Sequence, residues 1–140
     1  MKLLIVDDSE VISKRLNELL QDINGLEIVG IVKDGLQAIS EFNKLNPDIV
    51  VLDLMIPQMN GLDVLRNIRL HDKAVIVIIL TNYHQSYFRD LSTELGANYF
   101  LDKSVQFEKV YQICFNIINP KPNNNTDYLL LNHKEGVGNG

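Results

Sequence analysis

The sequence is short of the features that mark secreted, membrane-spanning or nucleic-acid-binding chains. It holds a single cysteine, Cys114, so no internal disulfide can form and a reducing compartment is expected. Cys114 itself reads as a small buried hydrophobe rather than a reactive thiol. The longest uninterrupted apolar run, residues 74–80, is far too short to cross a bilayer. Met1-Lys2 leads directly into a strand-like run, not into a signal-peptide core. A soluble cytoplasmic protein with no membrane partner is expected. Basic clusters are also missing: Lys and Arg are scattered and the net charge is -5. Direct nucleic-acid binding by this chain is not expected, because phosphate contacts need grouped cations. His71, His84 and His133 stand apart from one another, so no histidine metal cluster is expected.

What is present is an ordinary globular balance over 140 residues, 46% hydrophobic and 22% charged, enough for one domain with its own core. Short apolar runs at residues 3–6, 28–32, 49–52, 75–80 and 99–101 are mostly β-branched and continuous. Such runs read as strands covered on both faces. Between them apolar residues recur every three or four positions. The stripes are Ile12/Leu16/Leu19/Ile23, Leu36/Ile39/Phe42, Leu62/Leu65/Ile68, Phe88/Leu91/Leu95 and Val110/Cys114/Ile117. Gly96 stands where a helix C-cap is expected. The stripes read as core. Strand and helix alternate five times, which predicts an α/β fold: a parallel sheet with helices on both faces and right-handed crossovers.

Ligands of such sheets bind beyond the carboxyl ends of the strands, where strand order reverses. Polar residues collect at those ends. The first run is followed by Asp7-Asp8, the third by Asp53, the fourth by Thr81-Asn82 and the fifth by Asp102-Lys103. After the second run, Lys33-Asp34-Gly35 reads as a turn and helix start. Asp7, Asp8 and Asp53 in one crevice repel one another unless a cation joins them, and oxygen ligands of this kind suit Mg2+. Lys103 is a point charge suited to phosphate. Thr81 offers a hydroxyl donor. A carboxylate nucleophile, a metal, a lysine and a hydroxyl together make a phosphoryl-transfer site. Asp53, alone after its strand, is the central candidate for the nucleophile, and the Asp7-Asp8 pair for holding the metal. Pro57 and Gly61 fix the loop that follows Asp53.

The stretches LLIVDDSE, VVLDLMIPQMNGLDVL, VIVIILTN and GANYFLDKS resemble the receiver domain of two-component response regulators, from residue 2 to about residue 118. The resemblance implies a doubly wound, flavodoxin-like (βα)5 sheet of five strands in the order 2-1-3-4-5. It implies that Asp53 accepts a phosphoryl group from a histidine kinase or a phosphotransfer protein. Asp8, Asp53 and the backbone carbonyl of Met55 would bind Mg2+ directly, with Asp7 assisting through water. Lys103 would contact the phosphoryl group and Thr81 would swing towards it. Phe100 stands at the switch-aromatic position and would turn inward. The face of the fourth helix, fifth strand and fifth helix would then change for partners, a homodimer among them.

Four positions depart from the family habit. Asn82 replaces a small residue, and Met55 and Tyr83 are bulky at positions that tune phosphoryl lifetime, so slow autodephosphorylation is expected. Ser104 follows Lys103 where proline is common, so the bond between them is trans or stores strain. The principal alternative is a pseudo-receiver, an interaction module independent of phosphorylation, although Asp53 and Lys103 are both present. A phosphohydrolase would want a second Asp where Met55 stands, so catalysis on external substrates is not expected. Residues 1–118 are expected to form the receiver and residues 119–140 a linker or tail. The apolar YLLL at residues 128–131 would dock on the domain or a partner, or lead to a transcriptional output domain.

Overall fold

A computed structural model describes residues 1–121 of the chain; the YLLL segment lies outside them. Strands and helices alternate without exception: β1 Lys2–Val6, α1 Glu10–Leu20, β2 Glu27–Val32, α2 Gly35–Leu45, β3 Ile49–Leu52, α3 Gly61–His71, β4 Ile76–Thr81, α4 Ser86–Glu94, β5 Tyr99–Asp102 and α5 Lys109–Ile118. All pairings are parallel and the strand order is β2-β1-β3-β4-β5. This is the expected flavodoxin-like α/β sheet.

Side chains alternate across the pleat, and the chain uses both faces. Leu4, Val6, Val50, Leu52, Val77 and Ile79 face a core shared with Phe42 of α2 and with Val64, Leu65 and Ile68 of α3. Leu3, Ile5, Ile49, Val51, Ile78 and Leu80 face a second core closed by Leu16 and Leu20 of α1 and by Val110 and Cys114 of α5. That two-sided burial is why the runs are continuous rather than alternating. Cys114 is fully buried, and burial pushes its thiol up to about 12, as suits a hydrophobe.

Local chemistry sets the helix starts. The Ser9 hydroxyl accepts from the Ile12 N–H, the Asp34 carboxylate from Gln37 and the Asn60 carbonyl from Asp63, each satisfying an orphan donor of a first turn. Gly96, just past the end of α4, takes φ +102°, as a glycine beyond a helix end does. Several expected limits shift by a residue, β1 and β2 starting one earlier and β5 ending one later. β4 begins and ends one residue later than the apolar run, because Thr81 continues the ladder opposite Asp102. Ile23 lies in the α1-side core but beyond the end of α1.

The loop from β3 to α3 is pinned by close backbone contact. The Gly61 N–H donates to the Leu54 carbonyl at 2.8 Å. A Cβ at Gly61 would stand 2.2 Å from the Asp53 carbonyl oxygen and 2.6 Å from the Leu54 Cα. Backbone cannot yield as a flexible side chain can. Gly61→Ala is therefore expected to destabilise the fold by at least about 1–3 kcal/mol, read as a lower urea midpoint with an unchanged slope.

Candidate functional site

The sheet carries its functional side chains one residue past the strand ends, and backbone hydrogen bonds continue the ladder to hold them there. Asp7 N–H donates to the Val32 carbonyl at 3.0 Å, Asp53 N–H to the Val6 carbonyl at 3.0 Å and Lys103 N–H to the Thr81 carbonyl at 2.9 Å. β1 lies between β2 and β3, so Asp7 and Asp53 stand side by side where the strand order reverses. Carboxylate oxygens of Asp7, Asp8 and Asp53 all lie within 4.8 Å of one another.

The three acids are not equivalent. Asp7 and Asp53 are buried, at 3% and 6% exposure, whereas Asp8 is exposed. Lys103, 8% exposed, extends its ammonium between the buried pair. Its Nζ stands 2.7 Å from Asp7 Oδ2 and 2.8 Å from Asp53 Oδ2. The other oxygen of Asp7 accepts from the Ser9 N–H at 2.8 Å, and that of Asp53 from the Met55 N–H at 3.3 Å. Asp7 is thus committed on both oxygens. Asp8 lines the open crevice with Asp53, Met55 and Lys103, where a cation from solvent meets it first.

The electrostatics follow from burial against pairing. Burial pushes the Asp7 carboxyl above its ordinary value, and the hydrogen bond from Lys103 offsets only part of that. Burial alone would pull the Lys103 ammonium down, but its bonds to Asp53 and Asp7 outweigh this and hold it above the ordinary lysine value. The pairing therefore favours a charged Lys103. Three carboxylates at this spacing, with the Met55 backbone held beside them, form a hard oxygen donor set that fits Mg2+.

Thr81 ends β4 fully buried, and its Oγ1 accepts from the Tyr83 N–H at 3.2 Å. Tyr83 and Met55, 38% and 52% exposed, line the crevice. Phe100 is half-buried against the core on the α2–α3 side, with the Arg89 guanidinium 5.6 Å from its ring centroid. The Lys103–Ser104 peptide bond is trans. Ser104 donates its N–H and its hydroxyl to Asp102 Oδ1 at 2.8 and 2.9 Å, a turn that proline could not make because it lacks the N–H. These bonds hold the Asp102 carboxyl below its ordinary value.

All the sequence-derived candidates except Phe100 thus meet at one edge. Sequence reasoning did not single out Ser9, which caps α1 and also orders Asp7, nor Arg15, which lines the same crevice. Ile12 and Arg15 stand three residues apart on α1, just after its Ser9 N-cap, and both line the crevice. Among the described residues, no helix is long and apolar enough to cross a membrane.

Comparison with known proteins agrees with this geometry. Residues 3–114 match the family described as response regulator receiver domain. The chain is 38% identical over 107 residues to protein-glutamate methylesterase/protein-glutamine glutaminase 2 of Vibrio vulnificus, covering 75% of this chain and 31% of that protein. It is 31% identical over 112 residues to the chemotaxis protein CheY of Listeria monocytogenes, covering 80% of this chain and 93% of that one. The chain therefore spans about a third of one relative and nearly all of the other. It is also similar to a chain in the crystal structure of the CheX-CheY-BeF3-Mg2+ complex from Borrelia burgdorferi, with a TM-score of 0.76, 30% identity, and coverage of 84% of this chain and 89% of that one.

A divalent ion that binds only the folded acidic crevice must stabilise it. Mg2+ at ten times its Kd is expected to add about 1.4 kcal/mol, which raises the thermal midpoint by several degrees. Na+ at matched ionic strength should not do so, and Asp8→Asn should remove most of the gain. Calorimetry with and without Mg2+ checks this.

Proposed function

The chain belongs to the response regulator receiver family, and we propose that it is a phosphorylation switch whose acceptor is Asp53. The observation that carries this is the placement of one carboxylate between a fixed ammonium and a divalent-cation site. Asp53 Oδ2 is 2.8 Å from Lys103 Nζ, and Asp53 oxygens share a 4.8 Å cluster with Asp7 and Asp8. A phosphoryl group arriving there would find positive charge on two sides.

The residues have distinct tasks. An Asp53 carboxylate oxygen attacks phosphorus and forms an acyl phosphate as the bond to the donor's leaving group breaks. Asp8, Asp53 and the Met55 carbonyl would hold Mg2+, with Asp7 assisting through water, and the ion would supply positive charge beside the transferring group. Lys103 exchanges one carboxylate partner for a phosphoryl oxygen. Thr81 already accepts a hydrogen bond from Tyr83 on its oxygen, which leaves its proton free for the phosphoryl group. A shift of Thr81 frees room for Phe100 to turn inward. Phosphorylation then biases a two-state arrangement by its difference in interaction energy between the states.

The donor is a histidine kinase or a phosphotransfer protein, and the readout is the surface formed by α4, β5 and α5, used for a partner or a second copy. Residues 1–118 are the receiver and residues 119–140 a tail leading from it. We extend the proposal to output through a transcriptional domain, since the matched stretch is only part of one relative's chain. The protein acts by binding in the cytoplasm and does not turn over external substrates. Tyr83 and Met55 at the crevice support slow loss of the phosphoryl group, because an apolar rim hinders attack by water.

The test is incubation with acetyl phosphate and Mg2+, followed by intact-protein mass spectrometry and a chase of the adduct. One base-labile phosphoryl adduct is expected on the native protein and none on Asp53→Asn or after chelation of Mg2+, with a lifetime of many minutes to hours. No adduct on the native protein would instead support the phosphorylation-independent pseudo-receiver.

A further inference from the structure

Lys103 leaves the sheet from an edge. β5 pairs with β4 alone among the described residues, and the Lys103 N–H continues that ladder by donating to the Thr81 carbonyl. An edge strand leaves its outward N–H and C=O groups open. Gln106 closes both groups of Asp102. Its side-chain oxygen accepts from the Asp102 N–H at 2.8 Å, and its own N–H donates to the Asp102 carbonyl at 2.8 Å. Inside that loop, Asp102 Oδ1 accepts from the Ser104 N–H at 2.8 Å and from the Ser104 hydroxyl at 2.9 Å. These bonds join the residue before Lys103 to the residues after it. A proline after Lys103 would stiffen the backbone through its ring. Here Ser104 stands in that place, and the stiffness comes from hydrogen bonds.

The placement matters because of what Lys103 must reach. Its ammonium bonds Asp7 at 2.7 Å and Asp53 at 2.8 Å. Asp53 follows β3, two strand spacings or about 10 Å from β5. Lysine carries its charge on a flexible four-carbon stem. The direction in which that stem leaves the backbone therefore decides whether the ammonium meets both acids. The other oxygen of Asp102, Oδ2, faces the His84 imidazole at 3.8 Å on the loop after Thr81. That pair is partly exposed and contributes little, so Asp102 acts through the turn rather than through its charge.

We propose that Asp102 and Gln106 are positioning residues for phosphoryl transfer to Asp53, holding the backbone on both sides of Lys103 and so aiming its ammonium; this rests on Asp53 being the acceptor.

The test compares the native protein with Asp102→Ala, Gln106→Ala and Asp102→Asn, each measured well below its thermal midpoint. One readout is the rate of transfer from acetyl phosphate to Asp53 at saturating Mg2+. The other is the alkaline titration of the Lys103 ammonium by 15N NMR, without Mg2+. Both alanine variants are expected to transfer roughly tenfold more slowly, part of the roughly hundredfold that a misplaced reacting group can cost. Their Lys103 ammonium should titrate lower than in the native protein, because its two carboxylate bonds loosen. Asp102→Asn keeps an acceptor oxygen for the turn and removes only the charge. It should stay within about threefold of the native rate and titrate close to the native value. Alanine variants that melt earlier but keep both native readouts would overturn the assignment and leave the turn a purely structural feature. An Asp102→Asn as impaired as Asp102→Ala would also overturn it, in favour of the Asp102 charge. If the native protein takes no phosphoryl group, the acceptor assignment fails instead, and the Lys103 titration still decides whether the turn aims the ammonium.

Discussion

One ammonium group makes the functional edge possible. Lys103 Nζ lies 2.7 Å from Asp7 and 2.8 Å from Asp53, and without it two buried carboxylates would face each other in a medium that screens charge poorly. The strand order makes this a demanding arrangement. Lys103 follows β5, with β4 between it and β3, and neighbouring strands are about 4.8 Å apart. A long unbranched stem can cross above Thr81 to reach both acids. The same cation that stabilises the crevice is the one the proposed chemistry would redirect to a phosphoryl oxygen, so structure and switch draw on one charge.

The elements around that charge differ in how firmly they are held. Asp7 and Asp53 sit beyond the two central, largely buried strands and use both carboxylate oxygens. α4, which follows the Thr81 loop, has no side-chain cap at its start, and its one buried residue is Ser92. The Ser92 hydroxyl is buried without a hydrogen-bond partner among the described residues. An element with a polar anchor and an uncapped end belongs to the low-stability part of a fold. The helix beside the crevice is thus weakly anchored, which suits the proposed switch that moves Thr81 and Phe100.

Much of this could be read from the sequence, for a physical reason. Parallel strands covered on both faces must be continuously apolar, so the polar residues after them mark the carboxyl edge where ligands bind. That reasoning found Asp7, Asp8, Asp53, Thr81 and Lys103 before any contact was known. Strand ends alone could not separate Asp7 from Asp8, which only the family resemblance distinguished, because two adjacent aspartates look alike until the pleat buries one and leaves the other at the mouth. Nor could it place Phe100, whose half-buried position depends on packing with Arg89 and the α2–α3 core. Arg15 was missed because its position depends on Phe107, far away in sequence. The trans bond at Ser104 was also open until the Asp102 turn showed where the Ser104 N–H goes.

The central claim is that Lys103 stays charged by serving both buried carboxylates. Its folded-state value lies above the ordinary one, so while its two carboxylate partners are ionised the pairing stabilises the fold below the unfolded value of about 10.4 and is lost as pH rises through the folded value. The direct measurement is the 15N shift of Lys103 Nζ followed by NMR through an alkaline titration, without Mg2+, in the native protein and in Asp53→Asn. The account predicts an ammonium that titrates above the ordinary lysine range in the native protein and lower in the variant. A Lys103 that titrates at or below the ordinary value, and does not respond to the loss of the Asp53 charge, would contradict it.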